Sequence, residues 1–277
     1  MNLSAEQLQE NFNKLTGLID THITGDRKRS LLNLYADHEE RLMLMPASGT
    51  AHYHNCWPGG YIDHVLRVVE CAMLQKELWM KMGATINYTD EELVFAAINH
   101  DLGKIGTEEA EQYKPNPSDW HIKNQGKVYI NNPVNAFMTV PDRGLKLLAD
   151  RGIKVSDNEW FGIKLHDGMY EEANKPYYIG YNPDSALRTN LPHVLHQADM
   201  MASRIEYERW KFGENGLQNV RTLKGASMHK IKEHIPAQSD IYNPPIPKEG
   251  KPAKKTVKES AFNSGSDAAK LFDELFS

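Results

Sequence analysis

Apolar residues recur along much of this chain at three- and four-residue intervals, the spacing that lines one side of a helix. Ser4 with Gln7 makes the S-x-x-Q pattern of a reciprocal cap, which opens a polar helix reaching about Leu18. A second helix is predicted from Asp26 to about Leu44, with Leu31, Leu32, Leu34, Tyr35, Leu42 and Met43 spaced for packing. Pro58-Gly59-Gly60 then breaks any regular element. From Tyr61 to about Met82, the residues Ile62, Val65, Leu66, Val69, Met73 and Leu74 form the stripe of a long helix. Thr89 with Glu92 caps a more apolar helix that opens near Asp90 and runs to Gly103.

The pattern fails from Thr107 to Pro141. Pro115, Pro117 and Pro133 exclude long helices there, and the stretch reads as a lid or pocket wall. Helices restart at Gly144 to Ala149 and at Trp160 to Leu165, the latter ending in His166-Asp167. Tyr177-Tyr178-Ile179-Gly180-Tyr181 fits an edge strand or an aromatic loop. The last clear helix runs from about Leu191 to Phe212. The pattern as a whole is dominated by helices.

Composition adds limits. With 277 residues, 40% of them hydrophobic, the chain can bury one sizeable core. A net charge of −5 offers no global basic field for a long nucleic acid. Cys56 and Cys71 are the only cysteines, which points to a reducing compartment. No apolar run reaches membrane-spanning length, and the first ten residues lack the order of a signal peptide, so a cytoplasmic protein is expected. Near residue 239 the composition shifts to Pro and Lys. The expected organisation is N-terminal packing helices over 1–50, a main domain over 51–238, a linker over 239–265 and a short amphipathic segment over 266–277.

Against the helical background a few polar residues stand out. His100-Asp101 ends the apolar run from Leu93 to Ile98, and a carboxylate there is costly unless a cation or several hydrogen bonds meet it. A bound divalent metal would serve both residues. His64 interrupts the stripe of its helix; taken alone, such a residue is more often a hydrogen-bonded core histidine. Asp199 follows His193 and His196 at a spacing of three, among Val194, Leu195, Ala198 and Ala202. Brought together, His64, His100, Asp101 and Asp199 make an N,N,O,O set suited to Mn, Fe, Co, Ni, Mg or a catalytic Zn. Such a set leaves positions open for water and substrate, and a metal-bound water is a nucleophile near neutral pH. Lys104, one turn beyond His100, would offset charge on a phosphate oxygen, or else serve as a solvated cation at a helix end.

His64…His100-Asp101…Asp199 resembles the H…HD…D signature of the HD-domain phosphohydrolase superfamily, and His100-Asp101-Leu102-Gly103-Lys104 its H-D-[IL]-G-K form. His52-Tyr53-His54 and Pro58-Gly59-Gly60-Tyr61-Ile62-Asp63-His64 resemble the HHH…PGGLLEH stretch of a subset that includes HD-type 3′→5′ exoribonucleases and an HD domain of relaxase-like proteins. Leu195-His196-Gln197-Ala198-Asp199 resembles the L-H-x-A-D form around the last ligand. The resemblance spans roughly Ala51 to Ile205. It implies an all-α HD domain, a divalent metal on His64, His100, Asp101 and Asp199, and hydrolysis of phosphate esters.

Two-metal members of that superfamily carry two further histidines. His166 suits the second of these. Where the first is expected, Asp142-Arg143-Gly144 stands without a histidine, and His121 is the substitute. One firmly held metal is therefore favoured, with His121 and His166 as substrate-contacting or second-metal residues. The resemblance also moves His54 toward contact with a phosphate and leaves His52 open; the other reading packs both beside Trp57.

The leading functional reading is a metal-dependent phosphohydrolase acting on a nucleotide, a nucleoside mono- or triphosphate or a related ester. Its rivals are a 3′→5′ exonuclease and a catalytically silent interaction module. An oligomer is compatible with any of them. At the end of the chain, Phe272-Asp273-Glu274-Leu275-Phe276 resembles the C-terminal peptides by which replication proteins of some tailed phages hold their sliding clamp. That resemblance implies a clamp or other replication partner held through Leu271 to Phe276, and a phage-encoded chain acting in the host cytoplasm.

Overall fold

Residues 3–51, 53–180, 182–184 and 186–213 are described by the computed structural model. They form ten α-helices: α1 (Ala5–His22), α2 (Gly25–Asp37), α3 (Glu39–Leu44), α4 (Gly60–Lys81), α5 (Asp90–Asn99), α6 (Asp119–Gln125), α7 (Val140–Asp150), α8 (Asp157–Leu165), α9 (Lys175–Ile179) and α10 (Leu191–Phe212). Two short strands, β1 (Tyr113–Pro115) and β2 (Tyr129–Asn131), pair antiparallel with Lys114 opposite Ile130. The described residues are thus all-α apart from one small hairpin. Among them no helix is long and apolar enough to cross a membrane.

Local chemistry sets where the helices begin. The side chains of Ser4, Thr89 and Ser156 each accept a hydrogen bond from the backbone N–H of the third residue of α1, α5 and α8, and the side chains of Gln7, Glu92 and Glu159 accept from the backbone N–H of those caps. The start of α4 uses glycine instead. Gly59 is left-handed at φ 87°, and a Cβ on Gly60 would lie 2.0 Å from the Asn55 carbonyl oxygen. Pro-Gly-Gly therefore lets the loop that carries His54 lie directly against the first turn of α4.

The core sits where α4, α5, α8 and α10 cross, with α4 and α10 sharing the most extensive contact. α1 packs onto α4 and α5 and closes one side. Leu15, Ile19, Tyr61, Phe95, Ile98 and Leu195 are fully buried at this junction. Buried polar groups nearby find local partners. Asn99 donates from Nδ2 to the Phe95 carbonyl at 2.8 Å and accepts from the Tyr35 hydroxyl at 3.2 Å.

Several elements differ from expectation. The helix expected from Asp26 to Leu44 is broken at His38 (φ −118°, ψ 21°), whose Nε2 lies 3.0 Å from Glu108. The His-Asp helix does not reach Gly103: α5 ends at Asn99, and a 3₁₀ turn (Leu102–Ile105) follows Asp101. α7 opens at Val140 rather than at Gly144, because Thr139 caps it and Pro141 fits its first turn. The aromatic run near Tyr178 forms helix α9, anchored by the Tyr178 hydroxyl on the Leu165 carbonyl at 2.8 Å. The irregular stretch from Thr107 to Pro141 contains α6 and the hairpin. His52, the end of the domain expected over 51–238, the linker over 239–265 and the terminal segment over 266–277 lie outside the described residues.

Candidate metal centre

Three helices bring the candidate ligands together. α4 supplies His64, the end of α5 supplies His100 and Asp101, and α10 supplies Asp199. His64 Nε2 lies 3.2 Å from Asp199 Oδ1 and 3.7 Å from Asp101 Oδ2, while His100 Nε2 lies 3.4 Å from Asp101 Oδ2. His64 and His100 are fully buried, and the side chain of Asp199 is 20% exposed. The centre is therefore closed on the protein side and open at Asp199.

The donor set fits a cation. His100 closes α5, and its Nδ1 lies 2.7 Å from the Ala97 carbonyl. His166 closes α8 in the same way, with Nδ1 at 2.8 Å from the Ile163 carbonyl. Carbonyls of a last helical turn lack intrahelical donors, and they can only accept. Nδ1 must therefore carry the proton in both rings, and Nε2 keeps its lone pair. His64 reaches the same tautomer through Glu206, whose carboxylate oxygens lie 3.1 and 3.2 Å from His64 Nδ1. The Nε2 atoms of His54, His64 and His100 are buried and have no hydrogen-bond partner. Ligand atoms of His64, His100 and Asp199, and likewise of His54, His64 and Asp101, lie within 4.8 Å of one another. These buried His and Asp groups are positioned to hold a metal ion.

Electrostatics point the same way. Burial works against a charge on His64, yet Glu206 and Asp199 outweigh it and raise its pKa to about 10. Burial would raise the Asp101 carboxyl, but Lys104 and His100 hold it well below the usual carboxylate range. Asp199 is likewise lowered, against burial, by the close approach of His64 at 3.2 Å. The carboxylates that raise His64 are charges a divalent cation would also meet.

Each remaining expected residue has a definite place. Lys104 Nζ lies 2.5 Å from Asp101 Oδ2, and burial, which would lower its pKa, is outweighed by Asp101. The His54 ring lies 4.6 Å from that of His64, and burial followed by the charges of His64 and Lys104 lowers its pKa well below the ordinary value. His166 Nε2 is 3.7 Å from Asp101 Oδ1, on the side of that carboxylate away from Lys104, and forms a third ligand group with His100 and Asp101. His121 is not brought in. It is exposed on α6, with Nδ1 2.7 Å from Ser118 Oγ.

Glu206 is the residue sequence reasoning missed, together with Arg67, whose Nε lies 3.1 Å from Glu206 Oε1. Glu206 comes seven residues after Asp199, and Arg67 three after His64, each on the ligand-bearing face of its helix, but spacing alone does not tell a buried glutamate from a solvated one.

Two openings flank the centre. Asp199 and His54 line a cavity of about 180 Å³ with Tyr53, Tyr170, Arg204 and Tyr207. Lys104 lines another of about 400 Å³ beneath the hairpin, with Arg41, Tyr113 and Tyr129. The stretch from Thr107 to Pro141 thus walls the Lys104 side. Comparison of the chain with known protein families, curated proteins and solved structures gives no match.

Proposed function

We propose that this chain is a metal-dependent phosphohydrolase that cleaves a phosphate ester of a small nucleotide. The observation that carries the reading is the meeting of the partnerless Nε2 atoms of His64 and His100 with the carboxylates of Asp101 and Asp199. The ordered H…HD…D motif set supports it. His64, His100, Asp101 and Asp199 would hold the ion. A bound divalent cation supplies Lewis acidity and lowers the pKa of water.

The chain's own residues do the rest. Lys104, fixed on Asp101, sets a positive charge where phosphate oxygens gain negative charge. His54, whose ring stands 4.6 Å from that of His64, lines the cavity where a phosphate would sit. In that cavity Arg204 offers a guanidinium with no ion pair among the described residues, suited to a phosphate, and Tyr53, Tyr170 and Tyr207 offer faces for a base. A cavity of about 180 Å³ beside Asp199, in a chain of net charge −5, favours a small ester over a polynucleotide.

The test is a hydrolysis screen of the purified protein with Mn²⁺ or Mg²⁺ on nucleotides and short oligonucleotides. His100→Ala is expected to lose metal uptake and turnover together. Hydrolysis confined to oligonucleotides and falling steeply with salt would favour the exonuclease reading. Metal uptake with no hydrolysis of any substrate would leave the interaction module as the better description.

A further inference from the structure

His64 differs from the other two histidines of the centre in where it sits. His100 and His166 close their helices, so free carbonyls fix their tautomers. His64 lies within α4, where the main-chain carbonyls are engaged in the helix. Its Nδ1 proton therefore needs an acceptor from elsewhere, and Glu206 provides it. Glu206 is only 1% exposed, and such a carboxylate persists in a core only when it is paired. Arg67 meets it from one turn along α4, Arg67 Nη2 lies 3.4 Å from Asp63, and Asn55 Nδ2 donates to Asp63 at 2.8 Å. Arg67 alone would neutralise the charge. The closeness of both Glu206 oxygens to His64 Nδ1 is a second commitment that neutralisation does not require.

We infer that Glu206 is a positioning residue of the metal centre, holding His64 in the tautomer and orientation that presents Nε2 to Asp199 and Asp101. The inference rests on the metal-centre reading above. Glu206 and Asp199 are seven residues, about 10.5 Å, apart along one rigid helix. One carboxylate thereby ties α10, which carries Asp199, to α4, which carries His64. The same network reaches the loop of His54 through Asn55, so ligand spacing and loop position are set together. Loss of such a partner ordinarily weakens metal affinity about 10- to 100-fold.

The test titrates the full-length, metal-stripped protein with Mn²⁺ and with Zn²⁺ by calorimetry, alongside Glu206→Gln and Glu206→Asp. Circular dichroism checks that each variant is folded. Gln keeps the shape but replaces the charged acceptor with an amide, and affinity is expected to fall about 10- to 100-fold with the helical signal intact. Asp keeps the charge but is one methylene shorter, and a smaller loss is expected. A folded Glu206→Gln that binds both ions as tightly as the natural protein overturns the inference. Should that variant fail to fold, unchanged affinity in folded Glu206→Asp overturns it equally. If the natural protein takes up neither ion, the metal centre itself falls, a result distinct from a change confined to the variants.

Discussion

Asp101 serves several neighbours with two oxygens. Lys104 and His100 share Oδ2 at 2.5 and 3.4 Å, while His166 stands 3.7 Å from Oδ1. Asp101→Asn keeps the volume and removes the charge. Lys104, 12% exposed, then becomes a buried cation without its partner, and breaking such a pair costs about 3–5 kcal/mol. The variant is therefore expected to melt well below the natural protein in the presence of a chelator, and to lose Mn²⁺ affinity as well. An unchanged melting temperature would deny the buried pair, and unchanged Mn²⁺ affinity would deny the ligand role. At this scale the sequence was readable where a polar residue interrupts apolar neighbours, as at His64, His100 and Asp199. It was not readable at Glu206. Ile205-Glu206-Tyr207-Glu208-Arg209 looks like an ordinary solvated stretch, and only the crossing of α4 shows which glutamate is buried.

Helices were legible where a side-chain cap marked the start, as in α1 and α5, or a long apolar stripe marked the body, as in α4 and α10. Boundaries failed where a cap went unread, as at Thr139 before α7, or where a tertiary contact decided them. The end of α5 is the clearest case. Gly103 approaches α7 so closely that a Cβ would stand 2.0 Å from the Val140 carbonyl oxygen and 3.0 Å from the Gly144 nitrogen. That approach accompanies the tightening of the chain into the 3₁₀ turn, which places Lys104 back over Asp101. Sequence alone read Gly103 as a helix stop and missed this packing role. Gly103→Ala is expected to destabilise the protein by about 1–3 kcal/mol or more, since overpacking against main chain has no rotamer to relieve it. It should also weaken Mn²⁺ binding, because the turn that carries Asp101 must shift. Thermal melts and a titration check both, and an alanine variant with natural stability would show that α7 yields freely.

For the molecule as a whole, the question is which parts the metal centre requires. Residues 1–50 bear no expected ligand, and the sequence assigned them to packing alone. In the structure they contribute Leu15, Ile19, Leu31, Leu34, Tyr35 and Leu42, all fully buried. Burying each such side chain stabilises by about 1.5–3 kcal/mol, so the six together contribute on the order of 10 kcal/mol. Net stabilities of single domains are only about 5–15 kcal/mol. The Tyr35 hydroxyl also bonds to Asn99 and the Ile98 carbonyl, immediately before His100. A protein lacking residues 1–50 is therefore expected to show no cooperative melt and no Mn²⁺ uptake. A protein ending at Arg221 should behave differently. Every candidate ligand, Lys104, Glu206 and the whole described core precede that point, so Mn²⁺ affinity, melting temperature and hydrolysis should match those of the full chain. Calorimetry, melts and the nucleotide assay on the two shortened proteins decide the matter. A cooperative melt from the first, or lost metal binding in the second, would mean that the unit supporting the centre has been drawn in the wrong place.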